Sequence, residues 1–244
     1  MRIDIITLFP QVFEPLNASI LRRAQDAGLL SIHLHHLRDY THDRHRTVDD
    51  APFGGGSGMV LKPEPIFEAV DSVRGLHPER GTVILLTPQG SIFRQETALT
   101  LSGMGRLILI CGHYEGFDER IREGLADMEL SIGDYVLTGG ELPAMVVIEA
   151  VSRLIPGVID EESALMESFS GGLLDFPQYT RPQEYRGLAV PEILLSGNHA
   201  EIARWRRQES IRRTFLRRPD LLKNAVLSEK EQRLIASWEN PETP

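Results

Sequence analysis

Short hydrophobic runs alternate with amphipathic, helix-like segments along the chain up to Leu154. The runs predict strands at Ile3–Leu8, Ser31–Leu37, Val83–Leu86, Leu107–Cys111 and Glu129–Ile132. The segments between them predict helices at Phe13–Ala27, Pro65–Val73, Arg94–Leu101, Asp118–Leu125 and Glu141–Leu154. Because strands that alternate with helices are joined by crossover connections, this order predicts an α/β fold whose parallel sheet is covered on both faces.

Glycine-bearing turns follow three of the predicted strands. The first glycine turn is Thr87–Gly90, the second is Gly112–Gly116 and the third is Ile132–Glu141. Loops at the carboxyl ends of parallel strands are where open α/β sheets bind ligands. Since glycine has no Cβ, it lets the backbone approach a ligand closely. The turns therefore predict one pocket, walled by backbone, for a flat and uncharged group.

The pattern changes at Pro156-Gly157, which ends the last predicted helix of this region. The following residues are acidic, then glycine-rich, then aromatic, without clear periodicity, which is typical of a linker. A linker this long is unusual and is often functional. The predicted organisation is a domain at 1–157, a linker at 158–182 and a helical domain at 183–244.

The carboxyl-terminal region contains the sequence signals of helix starts. Asn198 is a predicted cap for a helix that runs through Thr214. Ser228 and Glu231 have the spacing of a capping box before a second helix.

Composition indicates an ordinary globular protein. The chain has 244 residues, of which 41% are hydrophobic and 25% are charged. No apolar stretch approaches the about 20 residues of a membrane span, so no membrane contact is expected. The start, Met1–Ile6, is typical of a strand and not of a signal peptide. The single cysteine, Cys111, lies in an apolar run and is interpreted as a small buried residue, which fits a reducing cytoplasm.

Charge is unevenly distributed in this acidic chain. The net charge is −9, yet the segment from Arg204 to Lys223 contains eight basic residues and only two acidic ones, Glu209 and Asp220. Such a segment is typical of a nucleic-acid surface. A solvated helix face explains it equally well.

Several familiar sites are not supported. The P-loop pattern is absent, which argues against a P-loop nucleotidase. The glycine-rich loop Gly54–Gly58 has Met59 where a dinucleotide loop needs its third glycine, so it is either a mobile surface loop or a loop that closes over a ligand. A structural metal site is not expected, because no paired cysteines accompany the histidines His33, His35, His36, His42 and His45.

The motifs together closely resemble those of the bacterial tRNA (guanine-N1)-methyltransferases, a family of knotted, SPOUT-type enzymes. The glycine turns carry much of this resemblance, and Ile132–Glu141 is specific on its own. The other matching motifs are Leu37–Tyr40, Asp43–Asp50, Gly54–Val60, Gly172–Asp175, Tyr179–Pro182 and Leu195–His199. They cover nearly the whole chain in the family's order.

The resemblance implies a fold and a reaction that composition does not. It implies a deep trefoil knot in the first domain, although knots are rare. It implies a homodimer with active sites shared between subunits. It also implies methyl transfer from S-adenosylmethionine to N1 of the guanine immediately 3′ of the anticodon, position 37, of tRNA.

By this resemblance the glycine turns bind the adenosine part of the donor. Backbone groups read the adenine edge, and apolar side chains cover its faces. The expected donor-binding residues are Leu86, Thr87, Pro88, Gln89, Gly90, Gly112, Tyr114, Glu115, Gly116, Ile132, Gly133, Asp134, Tyr135, Val136, Leu137, Gly139 and Gly140.

The resemblance also points to catalytic residues. Guanine N1 carries a hydrogen at neutral pH, so a general base must remove it. The family usually has an aspartate before a Ser-Phe pair, whereas this chain has Glu167, one methylene longer, with Asp175 as the reserve candidate. Arg153 matches the arginine that stabilises charge on guanine O6. Glu115 matches an acid that orients guanine or a divalent ion, which leaves Mg²⁺ dependence open.

The predicted partner is the anticodon stem-loop of tRNA. Its phosphates would bind the carboxyl-terminal arginines Arg204, Arg206, Arg207, Arg212, Arg213, Arg217 and Arg218. Two alternatives stay open at this point: a knotted methyltransferase that acts on ribosomal RNA, and a non-catalytic RNA-binding protein that keeps the fold.

Overall fold

The computed structural model describes residues 1–160 and 167–239. The chain divides into two compact units, Met1–Asp160 and Glu161–Pro244. Part of the predicted linker, residues 161–166, lies outside the described residues.

The first unit is an α/β domain with a parallel central sheet of strand order β2-β1-β6-β5-β7. Its strands are β1 (Arg2–Thr7), β2 (Ser31–His36), β3 (Asp49–Asp50), β4 (Val60–Leu61), β5 (Thr82–Ile92), β6 (Arg106–Cys111) and β7 (Met128–Ser131), of which β3 and β4 form a separate antiparallel pair. Its helices are α1 (Ser19–Asp26), α2 (Pro63–Gly75), α3 (Gln95–Ser102), α4 (Glu119–Leu125) and α5 (Glu141–Ser152), with 3₁₀ segments at Pro10–Asn17 and Leu37–Tyr40.

Helices cover both faces of this sheet, as the sequence predicts. Ile3 and Ile5 of β1 belong to a core cluster that includes buried residues of α1, α3 and α5. Ile6, on the opposite face, belongs to a second cluster with buried residues of α2 and α4. Cys111 is buried in the first cluster, and burial, followed by the charge of Glu141, raises the pKa of its thiol well above the ordinary value.

Two local predictions are wrong. The single helix predicted over Phe13–Ala27 is a 3₁₀ segment followed by α1, because Pro15 has no N–H to donate and Ala18 is extended. The first glycine turn is a bulge inside the long strand β5, since Leu86 and Ser91 both pair with Leu130 of β7.

Charged side chains are buried at the opposite end of the sheet from the glycine turns. Asp4 and Arg106 are both fully buried and form an ion pair at 2.9 Å. Arg2 and His35 also bond Asp4, at 2.7 and 2.9 Å. Arg106 donates to the carbonyl of Val73, 2.6 Å away in the last turn of α2, where a cation is favoured by the helix dipole. No local pattern in the sequence predicted this buried group.

The second unit is mainly helical. It contains α6 (His199–Arg217), α7 (Glu229–Glu239), a short antiparallel pair β8 (Glu184–Tyr185) and β9 (Leu188–Ala189), and 3₁₀ segments at Ser170–Gly172, Glu192–Leu195 and Pro219–Lys223. Both predicted caps are confirmed: Asn198 accepts from the N–H of Glu201 at 3.3 Å, and Ser228 and Glu231 bond reciprocally. Across the described parts of both units, none of the helices has the length and apolar character needed to cross a membrane.

Candidate functional site

A cavity of about 220 Å³ lies beside the bulge of β5 and the carboxyl ends of β6 and β7. All three glycine turns contribute to its wall, so the structure brings them together as the sequence predicts. The residues that line it are Leu86, Thr87, Pro88, Gln89, Gly112, His113, Tyr114, Glu115, Gly116, Phe117, Arg122, Leu130, Ser131, Ile132, Gly133, Tyr135, Val136, Leu137, Thr138, Gly139, Gly140 and Pro143.

A backbone hydrogen bond joins the second glycine turn to the third. The N–H of Gly140 donates to the carbonyl of Gly112 at 2.8 Å. A Cβ on Gly140 would lie only 2.7 Å from both the Cα of Cys111 and the N of Gly112. Because backbone cannot rotate away as a side chain can, Gly140 has to be glycine for the two turns to approach this closely.

Replacing Gly140 with alanine should therefore destabilise the first unit. We expect a loss of about 1–3 kcal/mol in the free energy of unfolding, the usual cost of overpacking, as measured by urea denaturation. Gly75→Ala is the matched control, because a Cβ there meets nothing within 4 Å and the residue ends a helix. Equal stability of both variants would contradict this close approach.

The side chains of the wall suit a flat, weakly polar group. Leu86 is buried at one side, and Leu137 and Tyr114 are 38% and 47% exposed. Tyr114 has a φ of 59°, a strained value for a residue with a Cβ, and such strain is concentrated at functional sites. Partial burial, followed by the charge of Asp49, raises the pKa of the Tyr114 phenol above its ordinary value. The glycine turns contribute backbone N–H and C=O groups to the same wall.

Charged residues also reach the cavity. Glu115 lies on the second glycine turn, and its backbone N–H donates to the carbonyl of Met59 at 2.9 Å. A Cβ on Gly58 would collide with the Glu115 carboxylate, so the carboxyl end of the glycine-rich loop lies against this turn. Arg122 of α4 lines the cavity and is bound by Glu129.

The cavity contains most of the predicted donor residues, with two exceptions. Gly90 does not line it, because this residue packs against the backbone of β7, where a Cβ would lie 2.5 Å from the N of Leu130. Asp134 is exposed and also outside the lining. Several lining residues were not predicted, of which His113 had a signal in its motif and Arg122, placed by helix packing, had none. The others missed are Phe117, Leu130, Ser131, Thr138 and Pro143.

The proposed catalytic residues lie in different parts of the chain. Glu115 is at the cavity, and Arg153 is the half-buried C-cap residue of α5. Glu167 is exposed in the second unit, and the next residue, Ser168, accepts from the N–H of Asp175 at 3.0 Å. The structure thus brings the two candidate bases into one small region of the second unit.

Asp175 accepts hydrogen bonds from two side chains of the second unit. Gln178 donates to its Oδ2 at 3.2 Å, and Arg213 donates to its carbonyl at 3.4 Å. Its Oδ1 is buried and has no hydrogen-bond partner among the described residues. Such an atom either binds a group that the structure does not contain or is costly to stability.

The basic segment is not one uniform face. Arg206 places its guanidinium 4.8 Å from the ring centroid of Phe176, and Arg207 is bonded to Glu231. Arg204, Arg212 and Arg217 of α6 are exposed. The arginines therefore differ in their contacts: Arg206 and Arg207 contact other segments of the second unit, whereas Arg204 and Arg212 pair with glutamates of α6 itself.

In residues 1–160 and 167–239, no group of three or more His, Cys, Asp or Glu side chains is arranged to hold a metal ion.

Comparison with known proteins agrees with the motifs. A family model described as tRNA (Guanine-1)-methyltransferase TrmD matches residues 1–224. A tRNA (guanine-N(1)-)-methyltransferase from Chloroflexus aggregans is 60% identical over 98% of this chain and 95% of its own. The Dehalococcoides mccartyi protein of the same name is 57% identical over 99% of both chains, and that of Lacticaseibacillus paracasei is 56% identical over 96% of this chain and 92% of its own. The family predicted from the motifs is thereby confirmed, and the chain belongs to the tRNA (guanine-1)-methyltransferase family.

Proposed function

We propose that the protein transfers a methyl group from S-adenosylmethionine to N1 of the guanine that follows the anticodon, position 37, in tRNA. The observation that carries this proposal is the cavity in which the three glycine turns of the family meet. The name shared by relatives of 56–60% identity over nearly full length supports the reaction, and ribosomal RNA as substrate is not favoured.

The donor would be held mainly by backbone and apolar side chains. Leu86, Ile132 and Leu137 would cover the adenine faces, and the second and third glycine turns would offer N–H and C=O groups to its edge. When bound, the donor supplies a methyl group on a sulfonium, which is already an activated leaving group. The task of the chain is then to hold the reacting atoms in line, and positioning supplies much of the rate.

Two side chains would assist at the guanine. Glu167 would accept the hydrogen of N1, which leaves the N1 lone pair free to attack, and Asp175 remains the reserve base. Arg153 would stabilise the negative charge that then develops on O6. The exposure of Glu167 supports the first role, since an exposed carboxylate can reach a substrate.

The strand order supports the knotted fold expected of the family. Strand β6 lies between β1 and β5, and β7 lies beyond β5 at the sheet edge. After β7 the chain returns to the carboxyl end of β6, where the N–H of Gly140 donates to the carbonyl of Gly112. Leu142 and Val146 of α5 are 54% and 46% exposed, which supports a homodimer. Shared active sites and a cytoplasmic location belong to the same proposal.

The exposed arginines of α6 would bind tRNA phosphates. Replacing Arg204, Arg212 and Arg217 with serine should weaken tRNA binding and flatten its dependence on salt, because each lost phosphate contact lowers the slope of log K against log salt by about 0.7–0.9. Arg22 and Arg23, exposed on α1, provide a control pair for the same substitution. Fluorescence titration at several salt concentrations measures both effects. An unchanged slope in the triple variant would identify these arginines as a solvated face.

One assay tests the proposed function as a whole. The full-length protein is incubated with S-adenosylmethionine and either bulk tRNA or ribosomal RNA, and the digested nucleosides are analysed by mass spectrometry. We expect N1-methylguanine in the tRNA sample alone. N1-methylguanine in the ribosomal RNA sample alone would show that the substrate is ribosomal RNA and not tRNA. Binding of tRNA without any product would favour a non-catalytic RNA-binding protein.

A further inference from the structure

A buried chain of hydrogen bonds lies behind the cavity wall. Thr7 Oγ1 donates to Glu141 Oε1 at 2.6 Å, and Glu141 Oε2 lies 2.8 Å from His113 Nε2. The side chains of His113 and Glu141 are only 14% and 7% exposed. Both oxygens of the carboxylate are therefore satisfied within this chain of hydrogen bonds, as buried polar atoms require.

The three residues come from three separate elements. Thr7 ends β1, His113 belongs to the second glycine turn, and Glu141 is both the last residue of the third glycine turn and the first residue of α5. A carboxylate in the first turn of a helix is favoured by the helix dipole, so the charge of Glu141 is stabilised where it lies. The carboxylate thus connects the end of the sheet to two parts of the cavity wall.

Close packing leaves His113 little freedom. It forms an antiparallel bridge with Gly139, and a Cβ on Gly139 would collide with the His113 ring. The ring of Phe9 also packs against the His113 ring, with ring centroids 4.8 Å apart. The backbone N–H of Phe9 donates to Thr7 Oγ1 at 2.9 Å, which fixes the hydroxyl for its bond to Glu141.

We propose that His113 is a positioning residue that holds the second and third glycine turns at the spacing at which they bind the methyl donor, and that Glu141 and Thr7 hold His113. The inference rests on the proposed function, because it assumes that the cavity binds the donor. Its physical basis is preorganisation: turns that are already in place need no ordering when the ligand binds, and this increases affinity.

The test compares two substitutions of His113. His113→Leu keeps much of the volume and removes the N–H, whereas His113→Gln keeps a donor that can reach the carboxylate. Loss of one hydrogen bond to a charged group should weaken S-adenosylmethionine binding about tenfold in the Leu variant. The Gln variant should stay within about threefold of the parent. Isothermal titration calorimetry gives the donor Kd, and steady-state assays should show a raised donor KM with a much smaller change in kcat.

Thr7→Val provides a second test outside the cavity lining. It keeps the shape of the side chain and removes the hydroxyl that donates to Glu141, so donor binding should weaken about threefold. The matched control is Thr100→Val, since the hydroxyl of Thr100 donates to the carbonyl of Glu96 within its own helix, α3. Unchanged donor affinity in Thr7→Val would overturn the role of this chain of hydrogen bonds, even if the Leu variant fails to fold.

The outcomes separate this inference from the proposed function. A parent protein that neither binds the donor nor methylates tRNA would overturn both. An active parent whose Leu variant binds the donor normally would overturn the inference alone. Equal weakening in the Leu and Gln variants would do the same, because it would assign the effect to ring shape. A Leu variant with normal KM and low kcat would place His113 at the reacting groups instead.

Discussion

Glu167→Gln is expected to lower turnover by about 10²–10⁴-fold, the usual contribution of a general base. The amide has nearly the same size and exposure as the carboxylate but cannot accept the N1 hydrogen as a base. Donor binding should be unaffected, because the cavity at the glycine turns does not include this residue. Single-turnover methylation of tRNA, with the donor Kd measured in parallel, checks both statements.

Matched variants decide between the two candidate bases. Glu167→Asp keeps the carboxylate, with one methylene fewer, and should retain far more activity than Glu167→Gln. Asp175→Asn should have a smaller effect on turnover than Glu167→Gln. If Glu167→Gln turns over at a near-parental rate and Asp175→Asn does not, the general base is Asp175, whose buried Oδ1 has no hydrogen-bond partner within the described ranges.

Asp4→Asn is expected to lower the free energy of unfolding by about 3–5 kcal/mol, since it leaves the buried Arg106 without its charge partner. Urea denaturation at neutral pH measures this loss. Asp26→Asn is the control, because Asp26 pairs with Arg22 on an exposed helix face and should contribute less than about 1 kcal/mol. If both variants lost a similar amount of unfolding free energy, burial of the Asp4–Arg106 pair could not be the cause of the loss in Asp4→Asn.

The same carboxylate makes stability depend on pH in acid. Burial alone raises the pKa of Asp4, but bonds from His35, Arg2 and Arg106 outweigh it and hold the pKa well below the ordinary 3.8. Because the pKa of Asp4 is lower in the folded state, its carboxylate contributes fully to the free energy of unfolding above pH 3.8. This contribution is lost as the pH falls toward the folded-state pKa. The difference in unfolding free energy between the parent and Asp4→Asn should therefore shrink below that pH. A constant difference would contradict this assignment.

Local signals in the sequence were enough to predict most elements of the first unit. Apolar runs such as Leu107–Cys111 predicted the strands, because a strand buried on both faces needs a continuous run of apolar side chains. The helix caps at Asn198 and Ser228 were also predictable, since capping depends on residues within one turn. The prediction of one helix over Phe13–Ala27 was wrong, because Pro15 interrupts it.

The glycine turns show how much of the site could be predicted from the sequence. Their positions after strands predicted that they meet, because the carboxyl ends of parallel strands lie at one edge of a sheet. The motif resemblance supplied the family and the expected ligand. Neither signal indicated that Gly90 packs on β7 rather than facing the cavity, because that depends on the register of β5 against β7.

The family, the parallel α/β sheet and the set of turns that form the cavity could all be predicted from the sequence, because each is encoded in short segments. Which distant residues share a hydrogen bond depends instead on the folded chain. Asp4 pairs with Arg106, and Thr7 with Glu141, across more than a hundred positions of chain. No local pattern records such a pair, since its partners are brought together by strand order and helix packing.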